Sequence, residues 1–223
     1  NYFMKKLKLV TIVGTRPELI KLSLTIKKCD KIFDHVLIHT GQNYDYELNQ
    51  IFFEDLGIRK PDYFLDVVGK NLGETLGNVI SKSYKILKTL DPDSLLILGD
   101  TNSSLSVISA KRLKIPIFHM EAGNRCFDQN VPEEINRKIA DHLADINLTY
   151  TENSRRYILS EGFRKDHVFN TGSPMPEIIE NFKKNIDESK ILSQLNLKKN
   201  KYIVASIHRE ENIDIGNNFK EIL

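Results

Sequence analysis

Short apolar runs alternate with longer amphipathic stretches from one end of the chain to the other. Each run has six to eight residues and contains β-branched side chains, as is typical of a buried parallel strand. These predicted strands lie at 8–15, 35–40, 95–100, 115–121, 146–151, 167–172 and 201–208. Stretches with helical spacing lie between them, at 17–29, 45–56, 72–90, 103–114, 132–144, 153–161 and 175–186. This alternation predicts an α/β fold, with a doubly wound parallel sheet and helices on both of its faces.

The composition of the chain changes near residue 175. From 181 to 201 the sequence is rich in Lys, Asn and Ser, as expected of a helix and a surface linker, and a new apolar run then begins. We predict an N-terminal domain over 1–175, a helical linker over 176–200 and the start of a truncated second domain over 201–223. One strand and one helix bury too little surface to fold alone, so we expect the N-terminal part of a longer protein.

Composition and charge exclude several classes of protein. The 223 residues are 40% hydrophobic and carry a formal net charge of +2, which indicates neither disorder nor a general attraction to nucleic acid or membranes. No run of about 18 apolar residues and no cleavable N-terminal signal is present, which predicts a cytoplasmic protein. Cys29 and Cys126 lie in different segments and are predicted to be reduced thiols. We therefore expect a small-molecule partner, with no nucleic acid and no membrane.

Ionisable residues follow the predicted strands, at the positions where a parallel sheet binds its ligands. Open α/β sheets bind ligands at the carboxyl ends of their strands, so these residues define a candidate site. They include Arg16, Glu18, Gln42, Asn43, Asp100, His119, Glu121, Arg125 and the group from His208 to Asn212. Neither a P-loop nor a GxGxxG dinucleotide motif occurs, so those two kinds of phosphate site are unsupported.

Cations and carboxylates have different predicted tasks at this edge. Arg16 and Lys21 lie in the first turns of a helix, where a phosphate-bearing ligand or plain solvent exposure would both suit them. Asp100 and Glu121 each end an apolar strand, where a carboxylate serves as an acid, a base or a metal ligand, or simply caps a helix. No HxxxH or CxxC spacing supports a metal. We predict neither a metal nor a cofactor.

Six short motifs occur together between residues 9 and 212. They are Gly-Thr-Arg-Pro-Glu at 14–18 with Lys21, Gly-Asp-Thr at 99–101, His-Met-Glu-Ala-Gly at 119–123, Pro-Glu-Glu-Ile-Asn-Arg at 132–137, Thr-Gly at 171–172 and His-Arg-Glu-Glu-Asn at 208–212. In order and spacing they resemble those of the non-hydrolysing UDP-N-acetylglucosamine 2-epimerases. The resemblance implies the N-terminal half of a GT-B-type fold, in which two Rossmann-like domains enclose the active site. It also implies a homodimer.

The same resemblance implies inversion of C2 in a UDP-N-acetylhexosamine. UDP leaves by anti elimination to a 2-acetamidoglycal and then adds back, which requires a base, an acid on the opposite face and cations for the diphosphate. Carried over by motif, the catalytic candidates are Asp100, Glu121, Glu133 and His208, with acid and base unassigned among the carboxylates. The candidates for binding the substrate or UDP are Arg16, Lys21, Arg125, Arg137, Arg209, Glu211 and Asn212.

Departures from the commonest family pattern bear on the substrate. Residues 42–45 read Gln-Asn-Tyr-Asp where many members have a Gln-His-Arg stretch tied to an allosteric UDP-N-acetylglucosamine, which argues against such activation. Residues 208–211 read His-Arg-Glu-Glu in place of His-Arg-Arg-Glu, and 171–175 read Thr-Gly-Ser-Pro-Met. These variants resemble the branch that converts UDP-N-acetyl-L-talosamine to UDP-N-acetyl-L-fucosamine for capsule and O-antigen synthesis.

Four other functions remain open. They are conversion of UDP-N-acetylglucosamine to UDP-N-acetylmannosamine, a hydrolysing epimerase, a GT-B glycosyltransferase with a separate acceptor, and an inactive nucleotide-sugar-binding module. Exchange of the C2 proton with solvent distinguishes an epimerase from a transferase. The 223-residue chain alone is expected to be inactive, because an incomplete cleft would not exclude water.

Overall fold

The structure is a computed structural model that describes residues 5–41 and 52–205. The chain divides into two compact units, Asn1–Glu180 and Asn181–Leu223. The first unit holds the sheet with its covering helices. The predicted division into 1–175, 176–200 and 201–223, like the predicted homodimer, stays a prediction.

A parallel sheet of seven strands forms the centre of the first unit, counted over the residues that the structure describes. Its strands are β1 (Lys8–Val13), β2 (Asp34–His39), β3 (Tyr63–Phe64), β4 (Ser94–Leu98), β5 (Ile117–Ala122), β6 (Ile146–Thr149) and β7 (Val168–Asn170). Every neighbouring pair runs parallel, so all the strands end at the same edge. The order across the sheet is β3-β2-β1-β4-β5-β6-β7. Since the order reverses between β1 and β4, their carboxyl ends form the switch point at which such sheets bind ligands.

Helices connect successive strands, as parallel pairing requires. In the first unit they are α1 (Arg16–Ile32), α2 (52–56), α3 (Leu72–Leu90), α4 (Ser106–Arg112), α5 (Pro132–Leu143), α6 (Glu152–Ser160) and α7 (Met175–Asn181). The described part of the second unit contains the short helices α8 (Lys183–Asp187) and α9 (Ile191–Gln194). Turns of 3₁₀ helix occur at Asn102–Leu105 and Lys165–His167.

Local sequence explains where the longer helices begin. Pro17 occupies the first turn of α1, where its missing N–H removes no helical hydrogen bond. The side chain of Asn71 caps α3 by accepting a hydrogen bond of 2.9 Å from the backbone N–H of Glu74. Thr151 caps α6 in the same way, through the backbone N–H of Ser154 at 3.1 Å.

The core lies between the central strands and the helices beside them. Val10, Ile12, Leu95, Ile97 and Ile117 are all 0–1% exposed and belong to one apolar cluster. Burying five such side chains stabilises the fold by roughly 1.5–3 kcal/mol each. The central strands therefore hold their carboxyl ends on a rigid support.

Most predicted elements are confirmed within the described residues, with four differences. The helix predicted at 175–186 is two helices, α7 and α8. Of the helix predicted at 45–56, residues 45–51 lie outside the described residues. The prediction missed β3, whose two residues pair only with the end of β2 at Ile38 and His39. Residues 103–105, predicted as the start of an α-helix, belong to the 3₁₀ turn at Asn102–Leu105. The strand predicted at 201–208 is wrong in its described part, because 202–205 have no regular structure and Ile203 is 95% exposed. A strand requires a neighbour to pair with, and the described residues provide none there.

Two further expectations concern cysteines and membranes. Cys29 and Cys126 are both free, as predicted. Among the described helices, none is both long enough and apolar enough to cross a lipid bilayer.

Candidate active site

The turn between β1 and α1 is held by a buried carboxylate. Glu18 is 1% exposed and accepts hydrogen bonds from the Gly14 N–H at 2.9 Å and the Thr15 hydroxyl at 2.8 Å. Its second oxygen accepts one from the Ser103 hydroxyl at 2.6 Å, which ties α1 to the turn after β4. Burial raises the pKa of Glu18, against the opposing effect of these hydrogen bonds. Glu18 thus positions the start of α1 from beneath.

The end of β4 presents Asp100, which is paired with a cation from α5. The Arg137 guanidinium contacts Oδ2 of Asp100 at 2.6 Å through both Nε and Nη2. Both side chains are partly exposed, at 19% and 18%. The amide of Asn136 donates to the Asp100 carbonyl at 2.9 Å, so α5 holds both the backbone and the side chain of this residue. Asp100 is not the cap of the following turn, a position that Thr101 occupies.

The end of β5 presents Glu121, which is paired with a cation from α1. The Lys21 ammonium lies 2.5 Å from Oε2 of Glu121, and the two side chains are 28% and 14% exposed. A β-bulge falls between Met120 and Ala122, and Glu121 adopts a φ of +65° there. A non-glycine residue in this region is strained, and such strain is concentrated at functional sites. The bulge directs Glu121 away from the regular alternation of the strand.

Beneath these two strand ends lies a buried network centred on Asp141 of α5. His119 is fully buried, with Nδ1 2.9 Å from Oδ1 of Asp141 and Nε2 2.9 Å from the Gly99 carbonyl oxygen. Both partners of the ring only accept, so His119 satisfies both as an imidazolium. Burial alone would lower the pKa of His119, but hydrogen bonding and charge from Asp141 outweigh it and raise the pKa. The network fixes Gly99, the residue before Asp100.

Arg125 belongs to the same network. Its side chain is 1% exposed and donates to Asp141 at 2.7 Å, and to both carboxylate oxygens of Glu161 at 2.7 and 2.8 Å. Burial opposes the charged form, but the two carboxylates raise the pKa of Arg125 above its usual value. In the described structure Arg125 anchors the loop after β5, while its predicted role in UDP binding stays a prediction.

Helix α5 presents polar residues inward. Glu134, Asn136 and Asp141 are buried whereas Ile135 is 50% exposed, the reverse of an ordinary amphipathic helix. Glu134 accepts from the Cys126 backbone N–H at 3.0 Å and supports the loop after β5. Glu133, one of the predicted catalytic residues, is exposed in the first turn, and its side chain makes no hydrogen bond within the described part of the chain. Its catalytic role stays a prediction.

The remaining candidates are divided between described and undescribed residues. Arg16 is exposed at the first position of α1, with its guanidinium carbon 5.5 Å from the centre of the Phe52 ring. Four of the predicted residues lie outside the described residues, as does the stretch 42–45: His208, Arg209, Glu211 and Asn212. No group of three or more His, Cys, Asp or Glu side chains is arranged to hold a metal across 5–41 and 52–205.

One supporting residue, Asp141, escaped the sequence reasoning, although a polar stripe of Glu134, Arg137 and Asp141 at helical spacing on one face of α5 gives it a weak local signal. Glu18 was expected at this edge of the sheet, but its supporting role was not predicted. The spacing of Thr15 and Glu18, which is that of a capping box, was its local signal. The structure thus brings together Asp100, Glu121, Lys21 and Arg137 as two cation–carboxylate pairs at adjoining strand ends.

The family model for UDP-N-acetylglucosamine 2-epimerases matches residues 27–223. The chain belongs to this family. A UDP-N-acetylglucosamine 2-epimerase homolog of Methanococcus maripaludis is 41% identical over 220 residues, covering 97% of this chain and 61% of the relative. A UDP-2,3-diacetamido-2,3-dideoxy-D-glucuronate 2-epimerase of Pseudomonas aeruginosa is 35% identical over 214 residues, covering 93% and 59%. The chain therefore spans about 60% of the length of these curated relatives.

Solved structures of the 2-epimerase family have the same fold. The UDP-N-acetylglucosamine 2-epimerase of Rickettsia bellii is 58% identical, with a TM-score of 0.83 over 86% of this chain and 52% of that one. The UDP-GlcNAc 2-epimerase of Methanocaldococcus jannaschii, solved with UDP-GlcNAc and UDP, is 35% identical, with a TM-score of 0.89 over 96% and 60%. The predicted Rossmann-like sheet of a GT-B-type fold and the predicted family are both confirmed.

Proposed function

We propose that the protein is a UDP-N-acetylhexosamine 2-epimerase that inverts C2 by eliminating UDP and adding it back. The observation that carries this proposal is the pairing of Lys21 with Glu121 beside that of Arg137 with Asp100. Each pair places a carboxylate that can take or give a proton next to a cation that can receive phosphate charge. Both pairs lie at adjoining strand ends, near the switch point of the sheet.

The chemistry follows from the structure of the substrate. No neighbouring carbonyl acidifies the C2 proton of a UDP-N-acetylhexosamine, so direct removal and return of this proton is very slow. A base instead takes the proton while its C–H electron pair forms the C1–C2 double bond and UDP leaves from C1 with the C1–O pair. The glycal then accepts a proton at the opposite face of C2, and a UDP oxygen adds to C1.

Residues of this chain fit the parts that such a reaction needs. Asp100 and Glu121 are the acid and base candidates described here, and Glu133 is a third. Lys21, Arg137 and Arg16 supply positive charge for the leaving diphosphate. Preorganised cations of this kind stabilise charge as it develops in the transition state.

The proposed sugar is UDP-N-acetyl-L-talosamine, converted to UDP-N-acetyl-L-fucosamine for cell-surface polysaccharide. The Thr-Gly-Ser-Pro-Met sequence at 171–175 supports this branch. The Pseudomonas aeruginosa relative, named for a different acetamido sugar, supports variation of the sugar within the family. The names of the methanogen relatives support the alternative substrate, UDP-N-acetylglucosamine.

Proton NMR in D₂O tests the proposal on the full-length gene product. UDP-N-acetylglucosamine and UDP-N-acetyl-L-talosamine are supplied separately, and entry of deuterium at C2 is followed. We expect exchange with inversion in the talosamine sample. Exchange with UDP-N-acetylglucosamine alone would assign the alternative substrate, and release of free sugar that carries deuterium at C2 would indicate the hydrolysing epimerase. If no deuterium enters C2 in either sample, the epimerase proposal is wrong.

A further inference from the structure

Tyr150 presents a hydroxyl group that the structure leaves unpaired. It follows β6 directly, and its hydroxyl oxygen is buried with no hydrogen-bond partner among the described residues. The residue as a whole is partly exposed, whereas its hydroxyl oxygen is buried. Tyrosine usually does the opposite, keeping its hydroxyl in water or bonded to a partner.

The position of Tyr150 places it at the candidate active site. Strand β6 pairs with β5, with Thr149 opposite Ala122 immediately after the bulge at Glu121. Tyr150 therefore follows β6 beside the point where Glu121 leaves β5. Burial, and then the nearby charge of Glu121, raise the pKa of Tyr150, so its hydroxyl keeps its proton and serves as a donor at neutral pH.

The Glu121 carboxylate is not the partner of this hydroxyl in the structure. Its Oε2 oxygen is engaged by Lys21 at 2.5 Å, and the Tyr150 hydroxyl makes no hydrogen bond to it. A buried hydroxyl without a partner is satisfied when a further acceptor comes within hydrogen-bond distance of it. A ligand bound against Glu121 provides such an acceptor.

We propose that Tyr150 is a sugar-positioning residue, whose hydroxyl donates a hydrogen bond to an uncharged oxygen of the sugar bound against Glu121. This inference rests on the proposed function and deepens it. The acetamido group and the hydroxyls of a UDP-N-acetylhexosamine supply oxygens of this kind near C2, whereas the nucleotide's phosphates carry full charges. Uncharged oxygens also occur in the ribose and uracil of UDP, but Glu121 is a candidate for the proton at C2, so a hydroxyl beside Glu121 lies at the sugar. We therefore expect Tyr150 to leave the affinity for UDP alone unchanged.

The test compares the Tyr150→Phe variant with wild type in the full-length protein. Dissociation constants for UDP and for the sugar nucleotide that proves to be the substrate are measured by calorimetry, together with kcat and KM. We expect the variant to bind the sugar nucleotide about 10-fold to 100-fold more weakly, with UDP unchanged within about twofold, as the loss of one buried hydrogen bond predicts. Tyr84→Phe, on the outer part of α3 and 39% exposed, is the control and should match wild type.

A structural role for the hydroxyl predicts different results. If Tyr150→Phe binds the sugar nucleotide as wild type does while its Tm rises, the hydroxyl has no ligand and the inference is wrong. Equal weakening for UDP and the sugar nucleotide would also overturn it. If the wild-type protein binds neither ligand, the proposed function itself is wrong.

A second measurement needs no variant and covers the case in which Tyr150→Phe does not fold. Protein labelled with ¹³C in its tyrosine rings is titrated with UDP and, separately, with the sugar nucleotide. We expect one ring signal to shift with the sugar nucleotide beyond its shift with UDP. Identical spectra with the two ligands would contradict a sugar contact.

Discussion

Glu121 combines three properties that rarely occur in one residue. Its φ is +65°, it stands in a β-bulge, and its carboxylate is paired with Lys21 from a helix 100 positions earlier in the chain. Each property costs free energy or restricts the sequence, and a structural side chain at a strand end needs none of them. Their coincidence supports a chemical role for Glu121.

Replacing Glu121 by Gln tests this role. The amide keeps the size of the side chain but neither takes nor gives a proton at neutral pH, so we expect kcat to fall by roughly 10²–10⁴-fold, the usual contribution of general acid–base catalysis. Thermal unfolding should change little, because the amide oxygen of Gln can still accept a hydrogen bond from Lys21. Glu180→Gln, exposed in α7, is the matched control. Activity within about threefold of wild type would exclude Glu121 as an acid or base.

Asp141 is the buried carboxylate that neutralises positive charge beneath the site. It is 0% exposed and faces both His119 and Arg125. Asp141→Asn keeps the shape but removes the negative charge between two buried cations, so we expect the free energy of unfolding to fall by about 3–5 kcal/mol. Chemical denaturation measures this change.

Asp166 provides the control for Asp141. It also pairs with an arginine, Arg164, but both side chains are more than half exposed. Asp166→Asn should therefore leave stability unchanged, since surface pairs of this kind contribute little. Equal stability for the two variants would show that the buried network has no stabilising role.

The sequence revealed the two candidate catalytic carboxylates more readily than the residues that support them. Asp100 and Glu121 end apolar runs, and the parallel topology alone places such residues at one edge. Asp141 lies near the C-terminal end of α5, where its one local signal is the polar stripe that it forms with Glu134 and Arg137. Its burial depends on the packing of α5 against β5, which that stripe does not show. The two carboxylate partners of Arg125 lie 16 and 36 positions further along the chain, so local sequence does not show its anchoring role. Its role in UDP binding, implied by the family motif, stays a prediction.

At the scale of elements, the loop after β5 is held by close contact with α6. Gly123 has a φ of +79°, and a Cβ atom there would collide with the Ser154 carbonyl oxygen and lie 3.0 Å from Cδ1 of Ile158. Its N–H donates to the Asp141 carboxylate at 3.2 and 3.3 Å. Glycine is therefore required here by space as well as by backbone conformation.

Gly123→Ala tests the contact between this loop and α6. We expect the free energy of unfolding to fall by roughly 2–4 kcal/mol, because alanine adds both left-handed backbone strain and overpacking. We also expect activity to be lost, because the loop begins two residues after Glu121. Gly162→Ala is the matched control, since Gly162 has a φ of +92° but no atom near its Cβ position. The difference between the unfolding free energies that the two variants lose measures the cost of the collision with α6. Equal losses would mean that the contact with α6 is unimportant.

Helices and strands were predictable where the hydrophobic pattern is long. They were missed where pairing with another strand decides whether the element forms. The strands from β4 to β6 are apolar enough to be read directly, and α3 has both a cap and a regular apolar face. Strand β3 has two exposed residues and exists only because β2 offers a free edge. Conversely, the apolar residues at 202–205 form no described strand since apolar character alone does not create a partner.

At the scale of the whole molecule, the stability of the fold should depend on the protonation of His39. This residue is 0% exposed at the end of β2, its Nδ1 accepts from the Gly41 N–H at 2.9 Å, and burial lowers its pKa to about 4. Between pH 4 and 6.5 the unfolded chain binds more protons at this site than the folded one. The site therefore stabilises the fold above pH 6.5, and this contribution is lost as the pH falls towards 4.

His39→Asn measures that contribution, because the Asn oxygen can accept from Gly41 but does not titrate. Over the window from pH 6.5 to 4, wild type should lose about 3 kcal/mol more of its unfolding free energy than the variant loses. The two stabilities are measured by urea unfolding at half-unit steps of pH. Parallel curves for the two proteins would show that His39 titrates normally in the folded state.

The central position of β1 has a consequence for the time course of biosynthesis. One edge of β1 pairs with β2, about 25 residues later, but its other edge pairs with β4, where Leu9 meets Ser94. At roughly 5–20 residues per second, a ribosome needs about 4–17 s to synthesise the 85 residues between these two partners. Throughout that interval an apolar strand has an open edge, which is a template for pairing with another chain. The nascent protein should therefore depend on chaperones most strongly before β4 emerges, and slowing translation upstream of residue 94 should increase aggregation.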